Sequence, residues 1–165
     1  NTAGLLQAQA QQTGEEATAE VSDVIKITEV VGSDAITENG AIDELNVSLR
    51  LASGSDPINV SRTSYTISSP RGEAGVINGN NNNDDSPVSY DQKQGFDDMA
   101  DDEYVLANQE DLLIATIDLD DANAVSALNE SERVQLIAQA PAGGQSYKEI
   151  KTPRNIDDGA SYILS

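Results

Sequence analysis

The chain has 165 residues, the size of one domain with at most a short appendage. It contains no cysteine, histidine or tryptophan, which excludes disulfides, thiolate or imidazole metal sites, cysteine nucleophiles and histidine-dependent catalytic triads. Its 29 acidic residues outnumber 9 basic ones and give a formal net charge of −20, a field that repels nucleic-acid phosphates and anionic lipid surfaces.

Acidity of this degree is typical of two kinds of chain. One is a disordered acidic segment, because high charge with few aromatic residues does not support a core. The other is a folded protein adapted to concentrated salt, where the Debye length falls to about 3 Å at 1 M and surface repulsion is screened. Apolar periodicity along the chain decides between them.

Residues 1–22 predict an α-helix, because they are rich in Ala, Gln and Glu and contain no Lys, Arg or Pro. Small or apolar side chains recur at alternating spacings of three and four, which places them on one helix face: Ala3, Leu6, Ala10, Thr13 and Ala17. This stripe buries little area, so the helix needs a partner to be stable in water.

From Val24 onward the pattern changes to the period of two that is typical of strands. Leu45, Val47, Leu49 and Leu51 alternate with polar residues, which predicts a half-buried antiparallel strand. The nearly continuous apolar run 112–119 predicts a central strand covered on both faces. Other predicted strands are 24–31, a short one around Tyr65 and Ile67, 134–138, 147–151 and 162–164. Residues 23–165 are therefore predicted to form an immunoglobulin-like antiparallel β-sandwich, in a mainly β chain that begins with the N-terminal helix.

One long stretch, 78–103, is predicted to be an exposed loop. Its first part, 78–85, is an Asn-rich run that can neither pack nor pair regularly. Its last part, 91–103, concentrates acidic residues around Phe96 and Met99, whose apolar side chains are expected to pin the loop to the domain.

Acidic clusters occur at 97–103, 118–121 and 157–158, and paired carboxylates can bind hard cations. None has EF-hand spacing: counted from Asp118, the sixth position is Asn123 rather than Gly and the twelfth is Asn129 rather than Glu. No glycine-rich nucleotide motif is present, and no Lys is placed to activate a Ser. We therefore expect solvated acidic surface, no cofactor, no dedicated metal and no enzyme activity, with a cation-binding module as an alternative.

Three Asn-X-Ser sequons predict N-glycosylation sites at Asn46, Asn59 and Asn129 if the protein is extracellular. Asn46 falls on the polar face of its predicted strand, where a glycan could project. Asn59 follows Asp56 and Pro57, and Asn129 precedes a predicted strand, so we expect both to be accessible.

Several stretches resemble archaeal flagellins (archaellins). The segments at 1–7, 11–14 and 21–23 resemble the region just after the hydrophobic N-terminal helix of that family. Similar stretches continue to the end of the chain at 30–32, 42–49, 54–61, 134–137, 141–144 and 152–156. The acidic composition resembles a haloarchaeal member. The processed leader and apolar core helix of the family are not in this sequence, so the chain is expected to be a subunit that lacks its hydrophobic N-terminal helix.

The resemblance implies a structural subunit of the archaeal flagellum, the archaellum, which polymerises helically for swimming. Residues 1–22 would be the distal part of the filament-core helix, and 23–165 would be the outer domain, on an extracellular cell-surface filament. The implied partners are other copies or related archaellins and N-linked glycans, with no nucleic acid and with membrane contact only before assembly, through the helix missing here. An archaeal adhesion pilin or a surface-layer module is an alternative function. An alternative for residues 1–22 is a helix that packs on the sandwich of its own chain.

Overall fold

The computed structural model describes residues 24–80, 86–96, 104–122 and 125–165. Eleven strands, one short α-helix and one 3-10 helix make up its regular structure within those ranges. The strands are β1 (Ile25–Ser33), β2 (Glu44–Leu51), β3 (Ile58–Asn59), β4 (Ser64–Ser68), β5 (Ala74–Asn78), β6 (Val88–Gln94), β7 (Val105–Leu106), β8 (Leu112–Asp118), β9 (Arg133–Gln139), β10 (Gln145–Lys151) and β11 (Ser161–Ile163). The helices are α1 (Leu119–Ala122) and the 3-10 helix Val60–Arg62.

The strands form two main antiparallel sheets. A five-stranded sheet has the order β11-β1-β2-β8-β6, a four-stranded sheet has the order β10-β9-β4-β5, and β3 pairs with β7. Their inner faces share one hydrophobic core, to which β2 contributes the four alternating residues that end at Leu51 and β9 contributes Val134, Leu136 and Ala138. The predicted mainly β, antiparallel sandwich is confirmed, and the predicted N-terminal helix at 1–22 lies outside the described residues.

The strand predicted at 112–119 corresponds to β8, but only one of its faces is fully buried. β8 lies between β2 and β6, so its backbone is paired on both sides. Its side chains alternate: Leu113, Ala115 and Ile117 are fully buried, whereas Leu112 and Ile114 are only half-buried on the outer face. The prediction of a doubly covered strand was wrong because a nearly continuous apolar run does not show which face meets the second sheet.

The region predicted as a single exposed loop, 78–103, contains a strand. β6 pairs with β8 and places Val88 and Tyr90 in the core. The pairing register of the two strands shifts by one residue at a bulge between Gln92 and Gln94. Phe96 is buried, as predicted, whereas Met99 lies outside the described residues. The loop prediction fails at β6 because two apolar residues in a polar stretch give too weak a periodic signal.

A buried pair of phenols joins the two sheets. Tyr65 on β4 and Tyr90 on β6 have their hydroxyl oxygens 3.3 Å apart, and the Tyr90 hydroxyl donates to the carbonyl of Gly79 at 2.6 Å. Burial raises the pKa of both phenols, so both remain neutral hydrogen-bonding groups at any physiological pH. The chain of hydroxyls satisfies polar atoms that would otherwise be unpaired in the core.

The loop between β1 and β2 is organised by two buried carboxylates. Asp34 accepts the backbone N–H groups of Asn39 and Gly40 at 3.2 and 2.6 Å. Asp43 accepts the N–H groups of Ala35, Ile36 and Thr37 and the hydroxyl of Thr37, with distances from 2.7 to 3.2 Å. No motif in the sequence marks either residue as a structural group, because their partners are backbone atoms, which carry no side-chain signature.

We expect Asp43→Asn to destabilise the fold at neutral pH by about 1.5–3 kcal/mol, because hydrogen bonds to a charged acceptor are lost. Burial alone would raise the pKa of Asp43, but its bonds from Thr37, Ala35 and Ile36 outweigh burial and lower this pKa. A lowered folded-state pKa stabilises the fold above the unfolded value of about 3.9, and that stability disappears as pH falls through the folded value.

Urea unfolding at pH 7 and at pH 3 measures this effect. The difference between the natural chain and Asp43→Asn should shrink at the lower pH. Glu130→Gln, at an exposed position, is the control and should leave the unfolding midpoint unchanged at neutral pH. An Asp43→Asn midpoint equal to that of the natural chain at pH 7 would contradict the assigned role.

Candidate glycosylation and assembly sites

The predicted filament-interface residues Ala3, Leu6, Ala10, Thr13 and Ala17 all lie outside the described residues. The three sequons lie within them, at different places on the sandwich. In the described part of the chain, no helix is long and apolar enough to span a bilayer.

Asn46 lies in the middle of the outer face of the five-stranded sheet. It is half-buried on β2, between Val31 on β1 and Thr116 on β8. Its Nδ2 donates to Glu44 Oε1 at 3.1 Å, and its Oδ1 accepts the hydroxyl of Thr116 at 2.8 Å. A glycan here would project from the sheet face, but the amide must leave these neighbours to react.

Asn59 caps the 3-10 helix that follows β3. Its Oδ1 accepts both the N–H and the hydroxyl of Ser61, at 3.1 and 2.6 Å. Asn59 is half-buried, and it lines a small open groove of about 210 Å³ together with Pro57, Arg62 and Pro141. The sequon serine is thus held against the asparagine that would carry the sugar.

Asn129 is the exposed sequon asparagine. It precedes a turn at Glu130 and Ser131, and its backbone carbonyl accepts the Thr152 hydroxyl at 2.6 Å. The N–H of Ser131 donates to the Pro153 carbonyl at 2.9 Å, so the backbone of this sequon is fixed while the Asn129 side chain faces solvent. Of the three sites, this geometry gives the freest access to a modifying enzyme.

The acidic clusters were considered as candidate cation sites. In the described part of the chain, their carboxylates accept hydrogen bonds from residues two or three positions away. Asp118 Oδ1 accepts the N–H groups of Asp120 and Asp121, at 2.9 and 3.0 Å, and so caps α1. Asp157 Oδ1 accepts the amide of Asn155 at 3.2 Å. Among the described residues, no three acidic side chains converge on one point, and the cluster at 97–103 lies outside them.

Charge is unevenly distributed between the outer faces of the two sheets. The five-stranded sheet carries four acids and two bases on that face: Glu29, Glu44, Asp91 and Asp118 with Lys26 and Arg50. A third base, Lys93 at the bulge of β6, forms an ion pair with Asp91. The fourteen outward positions of the four-stranded sheet carry a single acid, Glu149, with Arg133 and Lys151. In a protein of net charge −20, the second face is therefore close to neutral.

The family model for archaeal-type flagellin matches residues 1–163. The chain belongs to the archaeal-type flagellin family. Flagellin B1 of Natrialba magadii is 33% identical to it over 171 residues, covering 99% of this chain and 82% of that protein. Flagellin B2 of Halobacterium salinarum is 28% identical, covering 99% and 81% of the two chains. The resemblance of this flagellin to haloarchaeal archaellins is thereby confirmed.

Two solved structures share the fold of this flagellin. The crystal structure of archaeal flagellin FlaB1 from Methanocaldococcus jannaschii aligns with a TM-score of 0.67 and 20% identity, over 86% of this chain and 96% of that one. The archaeal flagellum of Methanospirillum hungatei strain JF1 aligns with a TM-score of 0.62 and 8% identity, over 99% and 85%. These likenesses confirm the sandwich as the fold of archaeal flagellins.

Proposed function

We propose that this flagellin is a non-enzymatic structural subunit whose copies polymerise into an extracellular archaellum used for swimming. The observation that carries the proposal is the family match along nearly the whole chain, 1–163. The fold is consistent with a durable shell: buried carboxylates such as Asp43 and Asp111 accept backbone N–H groups and hold loops rather than facing a reaction site.

In this arrangement residues 1–22 form the distal part of a filament-core helix, and 23–165 form the outer domain. β1 begins at Ile25, so a helix ending near residue 22 would pass directly into the five-stranded sheet. Ala3, Leu6, Ala10, Thr13 and Ala17 would face neighbouring helices, since small side chains permit close approach of helix backbones.

Deletion of the gene in its native host tests this function against adhesion. We expect loss of filaments by negative-stain electron microscopy and loss of swimming in soft agar, both restored by the natural gene. Surface attachment should be unaffected. Normal swimming with lost attachment would contradict the proposal and favour an adhesion pilin.

We also propose N-linked glycans at the sequons, with Asn129 modified most fully because its side chain is exposed. Asn129→Gln should remove one glycan mass from the intact protein purified from its host, and Ser131→Ala should remove the same mass. Asn108→Gln, at an exposed asparagine outside any sequon, is the control and should leave the glycan mass unchanged. An unchanged mass in both sequon variants would contradict modification at this site.

A further inference from the structure

The middle row on the outer face of the four-stranded sheet carries apolar side chains on three strands and Thr66 on the fourth. Cross-strand pairing aligns Val76 with Thr66, Thr66 with Ile137, and Ile137 with Tyr147. Val76 and Tyr147 are 68% and 55% exposed, so large apolar side chains at both ends of the row face solvent.

The rows on either side are almost free of charge. One row contains Asn78, Ser64, Gln139 and Gln145, and the other contains Ala74, Ser68, Gln135 and Glu149. Arg133 and Lys151 lie at one end, and Arg133 is 3.9 Å from Glu149. The fourteen positions thus carry a net charge of +1, against −20 for the whole chain.

We propose that this neutral face, defined by the outward residues of β10, β9, β4 and β5, is a lateral contact with a second copy of this chain. Two copies that each carry −20 repel one another over their acidic surfaces, and the repulsion is smallest where one of the contacting surfaces has no excess of acid. Interface cores are depleted of charge and enriched in aromatic residues such as Tyr. The neutral face shares this low charge and presents an exposed aromatic side chain, Tyr147.

The positions of the sequons support the same contact surface, because all three lie elsewhere on the sandwich. None of Asn46, Asn59 and Asn129 lies among the fourteen outward positions, and Asn46 lies on the outer face of the opposite sheet. Glycans on those asparagines would leave the neutral face open to a protein partner. A contact between this face and a different surface of the next copy is heterologous, the kind of contact that builds helical polymers rather than closed dimers.

The size of the face fits a weak contact repeated along a polymer. Four strands spaced by about 4.8 Å span about 14 Å, so the face covers only a few hundred Å². A stable isolated dimer buries about 800 Å² on each partner. The contact therefore relies on a filament that holds the copies at high effective concentration, and in this respect the inference rests on the proposed function.

Thiol labelling of filaments tests the contact, and the natural chain has no cysteine to interfere. Tyr147→Cys and Val76→Cys place single thiols on the neutral face. Ile163→Cys is the matched control, because Ile163 is 70% exposed on the edge strand of the other sheet. Filaments from cells carrying each gene are reacted with a maleimide in concentrated KCl, before and after dissociation into subunits.

We expect labelling of Tyr147→Cys and Val76→Cys to be at least tenfold slower in filaments than in dispersed subunits, with less than a threefold change for Ile163→Cys. Equal rates in both states at all three sites would overturn the contact. Protection of the neutral face already in dispersed subunits would also overturn it, since residues of the same chain would then cover the face.

Electron microscopy of the same samples separates this proposal from the proposed function. If the natural gene yields no filaments, the filament function itself fails. If filaments form and both neutral-face thiols react freely within them, only the lateral contact fails.

Discussion

Leu49→Asp should abolish cooperative folding of the sandwich. Leu49 is fully buried on β2, with its side chain in the core shared by both sheets. The substitution removes apolar contacts and places an unpaired carboxylate where neither water nor a cation can reach it. The expected loss is about 5 kcal/mol or more, comparable with the whole stability of about 5–15 kcal/mol that is typical of a domain.

Arg50→Asp is the matched control, because it places the same side chain one residue further along the same strand on the opposite face. Arg50 is half-buried and makes two long bonds, of 3.4 and 3.3 Å, to the carbonyls of Gln109 and Glu110. Their loss should cost about 1 kcal/mol. Circular dichroism during heating should show a sharp transition for this variant and none for Leu49→Asp. Equal melting curves would contradict the assignment of the two faces.

Removal of salt should produce the second large effect. The net charge of −20 amounts to one negative charge for about every eight residues, and at 10 mM salt the Debye length of about 30 Å lets these charges repel across the domain. At 1 M the length falls to about 3 Å and the repulsion is confined to neighbours. We expect the thermal midpoint to rise by more than 10 °C between 50 mM and 2 M KCl, since each kcal/mol of stabilisation shifts it by about 2–4 °C in a domain of this size.

Two controls separate screening from general exclusion of solutes. Sucrose at matched osmolarity stabilises folded proteins without screening charge, so it should reproduce only a small part of the shift. A variant with Glu29, Glu110 and Glu130 changed to Gln removes three of the net charges at exposed positions and should depend less on KCl. A midpoint that is the same at 50 mM and 2 M KCl would contradict adaptation of this chain to salt.

The sequence predicted those strands whose own residues alternate between apolar and polar. The alternation from Leu45 to Leu51 identified β2 and its buried face, and the strands predicted at 134–138 and 147–151 correspond to β9 and β10. Such patterns are local, because a side chain's face follows from its position in the strand. The family likewise followed from short stretches of residues.

The rest depends on neighbours distant in the sequence. β6 becomes a strand through pairing with β8, and its Tyr90 is stabilised in the core by Tyr65, 25 positions earlier. Asp43 is a loop-organising residue only because backbone N–H groups six to eight positions earlier fold onto it. The neutral face joins Val76, Ile137 and their strand neighbours by register, which the sequence alone does not specify.

This flagellin is proposed to build a filament with its sandwich on the outside. Helical reconstruction by electron cryomicroscopy of filaments purified from the native host tests this arrangement. We expect one copy of the sandwich, with Asn46 and Asn129 reaching solvent, to fit the density at the outer radius of each subunit, around a core of helices. This arrangement would be contradicted by filaments whose outer density does not accommodate the nine strands of the two sheets, or by cells that express the protein without incorporating it into any filament.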